Sequence, residues 1–315
     1  NSRQAITATR RGAFTLWNLE TGEVIAQLEG AHNSDGVSGV FFRSDTEFVS
    51  AGLDGTVLHW TINADGLSFR LLDRPSPDFI IRLRPGPDGQ SFITSDLNKN
   101  RTTDEYRLTL SRWTEADGWK QLPVSIAAKS DDLDRPYRHD ISWSDDGSEI
   151  LYVHERTLLV FNADTLAPIE GFRLPEGHQA VRGALAPNTP NGRRVATFDG
   201  RFAHLWDLQS QKDIAEFRSH GPVVRAAFSA DRKFVVTGSD SIRVFNSDES
   251  SNNHGRPVFR LTRQVIGKRL IEQAVFSPVT ADFRIASIDR AGCVKLWNWS
   301  PAGPPPSAEV FSSGE

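Results

Sequence analysis

The chain is 315 residues long and nearly charge-balanced, with 36 Lys and Arg against 40 Asp and Glu and a formal charge of -4 at pH 7. Its basic residues are scattered, with only short pairs such as Arg10-Arg11 and Arg193-Arg194, which argues against the concentrated basic face of a general nucleic-acid binder. One cysteine, Cys293, excludes an intrachain disulfide and a cysteine-rich metal site. No stretch approaches the roughly 18 apolar residues of a membrane helix, and no signal-peptide pattern opens the chain, so a cytoplasmic protein is expected. The chain starts at Asn1 and contains no methionine; it is expected to be a fragment or a processed product, tethered to other domains or subunits.

Seven short β-rich stretches end in an aromatic residue plus a small polar one. In chain order these are Trp17-Asn18, Trp60-Thr61, Trp113-Thr114, Phe161-Asn162, Trp206-Asp207, Phe245-Asn246 and Trp297-Asn298. Steps of 43, 53, 48, 45, 39 and 52 residues separate the anchors. A degenerate repeat of that length marks an array of one supersecondary unit. The second unit reads most clearly. Val37–Phe42 is an inner strand, Glu47–Ala51 a second, Thr56–Trp60 a third and Leu67–Leu72 a fourth, with Asp-Gly turns between them. Inner strands recur six times and end at Phe42, Pro85, Trp143, Leu185, Phe228 and Phe276. The first unit lacks one, so the chain enters mid-blade.

A four-stranded sheet cannot cover both of its faces alone, and radial repetition solves this. The fold expected is all-β, a seven-bladed β-propeller of four-stranded antiparallel blades spanning 1–300. The blade units are about 1–30, 31–75, 76–127, 128–176, 177–220, 221–265 and 266–300. The Pro-rich segment 301–315 either supplies an outer strand at Glu309–Phe311 or is a loose tail. Polar insertions at 96–106 and 248–256 and a long connection at 129–137 are candidate surface loops.

The endings Leu16-Trp17-Asn18, Leu205-Trp206-Asp207 and Leu296-Trp297-Asn298, the pair Gly177-His178, and the inner-strand ends Phe228-Ser229 and Phe276-Ser277-Pro278 resemble the WD-repeat family. The resemblance covers nearly the whole chain and rests on the periodic set. It implies a propeller that serves as a non-catalytic platform for proteins or peptides, needs no cofactor, and in some larger chains follows a kinase or nucleotide-switch domain whose activity it regulates by sensing a ligand.

His178, Thr197, Asp199 and Trp206 contain the residue types of a hydrolase triad. The resemblance implies instead a structural network in which a histidine, a hydroxyl, an aspartate and the tryptophan bond within one blade. His32, Asp54 and Trp60 sit at the matching positions of the second unit, with Gly52 in place of the hydroxyl residue; His220 and Asp240 echo the set in the sixth. Repetition from blade to blade is what architecture requires and what one active site does not.

Aligning the inner strands on their last apolar residue places Gly39, Arg82, Asp140, Arg182, Arg225 and Gln273 at one level. Arginines there could bind an acidic partner, since guanidinium forks pair with carboxylates and phosphates. They could equally pair with Asp140 and hold blades together. His139-Asp140 and His154-Glu155 show no third partner, and no metal is assigned. The reading is a protein- or peptide-binding scaffold with a tentative surface at Arg82, Asp140, Arg182, Arg225 and Gln273. The alternatives are a structural subunit of a large complex and a ligand-sensing propeller acting on an upstream switch or kinase domain. An enzyme working at the channel mouth would draw on His139, Asp140 and the arginines.

Overall fold

The computed structural model describes residues 4–9, 12–18, 21–32, 36–73, 79–100, 105–114, 120–128, 139–144, 146–186, 192–198, 202–218, 225–229, 231, 233–238, 241–248, 254–261, 271–276, 284–289, 294–298 and 308–311. Every regular element among them is a strand. The first sheet holds β1 (Gln4–Ala8), β2 (Phe14–Asn18) and β3 (Val24–Leu28). The second holds β4 (Val37–Phe42), β5 (Glu47–Gly52), β6 (Val57–Asn63) and β7 (Gly66–Asp73), and the third holds β8 (Phe79–Pro85), β9 (Phe92–Asn100), β10 (Glu105–Thr114) and β11 (Lys120–Ala128). The fourth is β12 (His139–Trp143), β13 (Glu149–His154), β14 (Thr157–Asn162) and β15 (Pro168–Arg173). The fifth is β16 (Arg182–Leu185), β17 (Arg194–Phe198), β18 (Phe202–Asp207) and β19 (Lys212–Arg218). The sixth is β20 (Arg225–Phe228), β21 (Phe234–Gly238), β22 (Ile242–Asn246) and β23 (Pro257–Leu261), and the seventh is β24 (Ile271–Phe276), β25 (Arg284–Asp289), β26 (Val294–Asn298) and β27 (Ala308–Phe311). Each sheet is a meander of sequential antiparallel neighbours, the blade of a seven-bladed β-propeller.

The chain divides into two compact units, Asn1–Ile150 with Phe161–Ile169, and Leu151–Val160 with Glu170–Glu315. Within each, the core lies between successive blades. Period-2 alternation sends neighbouring residues of one strand to opposite sides. On β5, Phe48 joins Phe14 of the first blade and Trp60, whereas Val49 and Ala51 join Ile80, Leu83, Phe92 and Trp113 of the third. On β17, Ala196 and Phe198 pack with Val235 and Phe245 of the sixth blade. On β21, Phe234 and Val236 turn to Ile285 and Trp297 of the seventh. Trp60, Trp113, Trp206 and Trp297 are all fully buried, each anchor contributing on the order of 2–3 kcal/mol by burial.

The anchors also fix a common rung. Phe42 pairs with Phe48 and Phe48 with Trp60; Pro85 pairs with Phe92 and Phe92 with Trp113. Leu185–Val195–Trp206, Phe228–Val235–Phe245 and Phe276–Ile285–Trp297 repeat the row. In the three-stranded first blade Ala5 opposes Trp17, so β1 holds the place of a second strand. The outer strand of the seventh blade is β27, where Ala308 opposes Trp297. Segment 301–307 lies outside the described residues, as does 129–137. The insertion at 96–106 extends a hairpin, whose strands stay paired out to Asn100 opposite Glu105.

Close approach explains two glycines. Strands β4 and β8 nearly touch at Gly39, where a Cβ would overlap the Leu83 side chain. At Gly52 an added Cβ would overlap both His32 Nδ1 and Asp54 Oδ1.

Candidate functional site

Two residues before each of the five anchor tryptophans, on the same face, the facing strand carries a hydroxyl. The register pairs are Thr7 with Thr15, Ser50 with Leu58, Thr94 with Ser111, Thr197 with His204, and Ser287 with Lys295. In all five blades the indole Nε1–H donates to that hydroxyl. The bonds are Trp17 to Thr7 at 2.9 Å, Trp60 to Ser50 at 2.8 Å, Trp113 to Thr94 at 2.9 Å, Trp206 to Thr197 at 2.8 Å and Trp297 to Ser287 at 2.8 Å. A buried indole needs such a partner. The sixth blade keeps the hydroxyl and loses the donor. Thr237 occupies the same register opposite Arg243, the anchor is Phe245, and the buried Thr237 Oγ1 has no hydrogen-bond partner among the described residues.

The second blade completes a longer chain. Ser50 Oγ accepts from Trp60 and lies 2.7 Å from His32 Nε2. On the other side of the ring, His32 Nδ1 is 3.2 Å from Asp54 Oδ1 and 3.0 Å from Thr56 Oγ1. Asp54 also accepts from the Thr56 amide and hydroxyl. A carboxylate is acceptor-only, so the imidazole proton sits on Nδ1, and Ser50 donates to Nε2. The hydroxyl of this network is therefore Ser50, and Gly52 does not stand in its place: Gly52 supplies the room that His32 and Asp54 share.

The fifth blade differs. Thr197 receives the Trp206 indole, but His178 meets ring systems: its centroid is 5.2 Å from that of Trp206 and 4.9 Å from that of His204, both near edge-on. His178 Nδ1 is buried without a hydrogen-bond partner among the described residues. His204 Nδ1 lies 2.7 Å from Asp213 Oδ2 on the adjacent strand. His178, His204 and Asp213 form a cluster whose potential ligand atoms are all within 4.8 Å of one another. No short sequence motif joins them, and the sequence assigned no metal. Asp199, His220 and Asp240 lie outside the described residues.

Each aligned inner-strand position has the equivalent register within its own blade. Gly39 opposes Ala51, Arg82 opposes Ser95, Arg182 opposes Phe198, Arg225 opposes Gly238 and Gln273 opposes Ile288. The side chains of Arg225 and Gln273 are outside the description; Arg182 is half-buried on β16. In the first unit, Arg84 Nη2 sits 2.6 Å from Asp140 Oδ1, and Arg82 Nε sits 3.6 Å from the same oxygen. Beside them His139 Nε2 bonds Ser95 Oγ at 2.9 Å, and the Trp143 indole donates to the Arg84 carbonyl at 3.2 Å. Two guanidiniums share one carboxylate here, and both arginine side chains are 18% exposed. Arg84 was missed by alignment, although alternation along β8 puts it on the same face as Arg82.

Turn aspartates are tied into the backbone. Asp146 accepts from the Ser144 hydroxyl, then from the Ser148 amide and hydroxyl, and these bonds hold its carboxyl below the ordinary range. At Asp88 burial opposes ionisation, yet bonds from the Ser91 and Gln90 amides and the Ser91 hydroxyl outweigh it and lower the pKa. Burial depresses the pKa of His59 on β6, against the pull of Glu47.

Seven antiparallel meander blades place the molecule in the β-propeller class. The WD40 family (WD domain, G-beta repeat) matches residues 22–61 and 211–244. With that match inside a seven-bladed propeller, the chain is consistent with a WD-repeat family. It is also 27% identical over 165 residues to apoptotic protease-activating factor 1 of Danio rerio, a match spanning 50% of this chain and 13% of that protein. No helix among the described residues is long and apolar enough to cross a membrane.

Proposed function

We propose that this propeller is a non-catalytic binding platform for a protein or peptide. The observation that carries the reading is the repeated indole–hydroxyl bond. In five blades the hydroxyl that could have served as a nucleophile is committed to a tryptophan, and in the second blade the histidine and aspartate join the same network. Residues so used make a rigid frame, and a rigid frame presents its loops and inner-strand ends at little ordering cost. The contact residues proposed are Arg82, Asp140, Arg182, Arg225 and Gln273, read from equivalent inner-strand positions of their blades. Guanidinium forks at these positions suit an acidic segment as the partner. A cytoplasmic setting goes with this reading.

A second reading, regulation of a linked effector, takes support from the likeness to a segment of a protein whose name describes a protease-activating factor. Both are tested by affinity capture from the source lysate with wild type beside Arg82→Ala, Arg182→Ala and Arg225→Ala variants, each checked by circular dichroism. A partner held by wild type and lost from a folded arginine variant supports the platform. A partner held equally by all four moves the contact surface away from the arginines. Failure of the wild type to retain any protein above a scrambled-surface control counts against the platform itself.

A further inference from the structure

We propose that the fifth blade carries a divalent-cation site of the zinc type, made by His178, His204 and Asp213. This site is independent of the partner surface proposed above. His204 projects from β18 on the face that carries Trp206, Asp213 projects from the neighbouring β19, and His178 comes from the segment before β16. One ligand atom from each lies within 4.8 Å of the other two. A tetrahedral zinc with bonds of about 2.0–2.1 Å holds its ligand atoms about 3.3 Å apart, so modest side-chain rotation closes the site.

Three features distinguish it from an ordinary surface cluster. Donor chemistry comes first: two imidazoles and one carboxylate suit zinc and neighbouring first-row ions, and suit calcium or magnesium poorly. The second is His178 Nδ1, which is buried and has no hydrogen-bond partner among the described residues. An imidazole nitrogen without a bond is costly in a buried place, and a metal bond would satisfy it. The third is the contrast with His32, which spends both nitrogens on Ser50, Asp54 and Thr56. His178 instead lies edge-on to His204 and Trp206. Three protein ligands leave a coordination position for water.

The test uses the whole chain, stripped with chelator and titrated with zinc chloride by calorimetry, with cobalt substitution as a spectroscopic readout. One zinc per chain and the intense visible absorption of four-coordinate cobalt are expected. His178→Ala and His204→Ala should each weaken zinc at least tenfold. Asp213→Asn preserves a hydrogen-bonding partner for His204 while removing the anionic ligand, and should weaken zinc without loss of fold. His254→Ala, which removes an imidazole outside the cluster, should leave the affinity unchanged. Zinc binding that is absent from wild type, or that survives all three cluster substitutions in variants shown to be folded by circular dichroism, overturns the proposal and leaves a hydrogen-bonded His204–Asp213 pair with no metal role.

Discussion

Thr197 and Thr237 occupy the same register in neighbouring blades, and the same substitution should move stability in opposite directions. Thr197 Oγ1 accepts the Trp206 indole at 2.8 Å, with both residues buried to within 1%. Thr197→Val keeps the side-chain shape and removes the acceptor, so a buried N–H is left unpaired at a cost of about 1–3 kcal/mol. Thr237 is equally buried, but the anchor of its blade is Phe245, which has no donor, and its hydroxyl has no hydrogen-bond partner among the described residues. Thr237→Val exchanges an unsatisfied hydroxyl for a methyl group and should stabilise by about 1 kcal/mol. For a protein of this size that is roughly a 2 °C rise in Tm. Equilibrium urea unfolding of wild type and the two variants reads both changes on one scale. A Thr237→Val loss equal to that of Thr197→Val would refute the reasoning, because it would show that both hydroxyls are bonded alike.

Other outcomes follow from the same geometry. Gly52→Ala should destabilise by about 1–3 kcal/mol, because the new Cβ displaces His32 or Asp54 from a buried network; urea unfolding measures the loss, and a neutral result would show that the network has room to spare. Asp140→Ala removes the shared acceptor of Arg82 and Arg84 and should cost about 1–3 kcal/mol, less than a fully buried pair because water reaches both arginines. Asp146 has a folded-state pKa below its unfolded value. Its contribution to stability is present at neutral pH and is lost as pH falls from the unfolded pKa, about 4, through the lower folded value. Asp146→Asn should therefore flatten the acid limb of a stability–pH profile. His59, whose folded pKa is also lowered, withholds a proton that the unfolded chain accepts. Stability should fall as pH drops below about 6.5, and His59→Gln should shrink that slope, as read by melting at pH 7.5 and 5.5.

The architecture was readable because one aromatic anchor per blade locks the register of the strands beside it. The spacing of Trp60, Trp113, Trp206 and Trp297 reports the blades, and the inner-strand alignment on Phe42, Pro85, Leu185, Phe228 and Phe276 coincides with the observed rungs. Counting from the turn aspartate pointed to Gly52 as the hydroxyl position, because hairpin turns vary in length between blades. Counting from the tryptophan across the ladder finds Ser50, because cross-strand pairing is fixed by the pleat. Arg84 could have been found by alternation along β8. The His178–His204–Asp213 cluster could not: it joins two adjacent strands and a preceding connection, and only the folded blade brings those three side chains together.

The central claim, that the inner-strand arginines hold an acidic partner on a rigid frame, is tested most directly by equilibrium titration of the captured partner at low and high salt. The account predicts an affinity that falls with salt and drops about tenfold or more for Arg82→Ala, in a variant shown to be folded by circular dichroism. An affinity indifferent to both salt and Arg82 would contradict it.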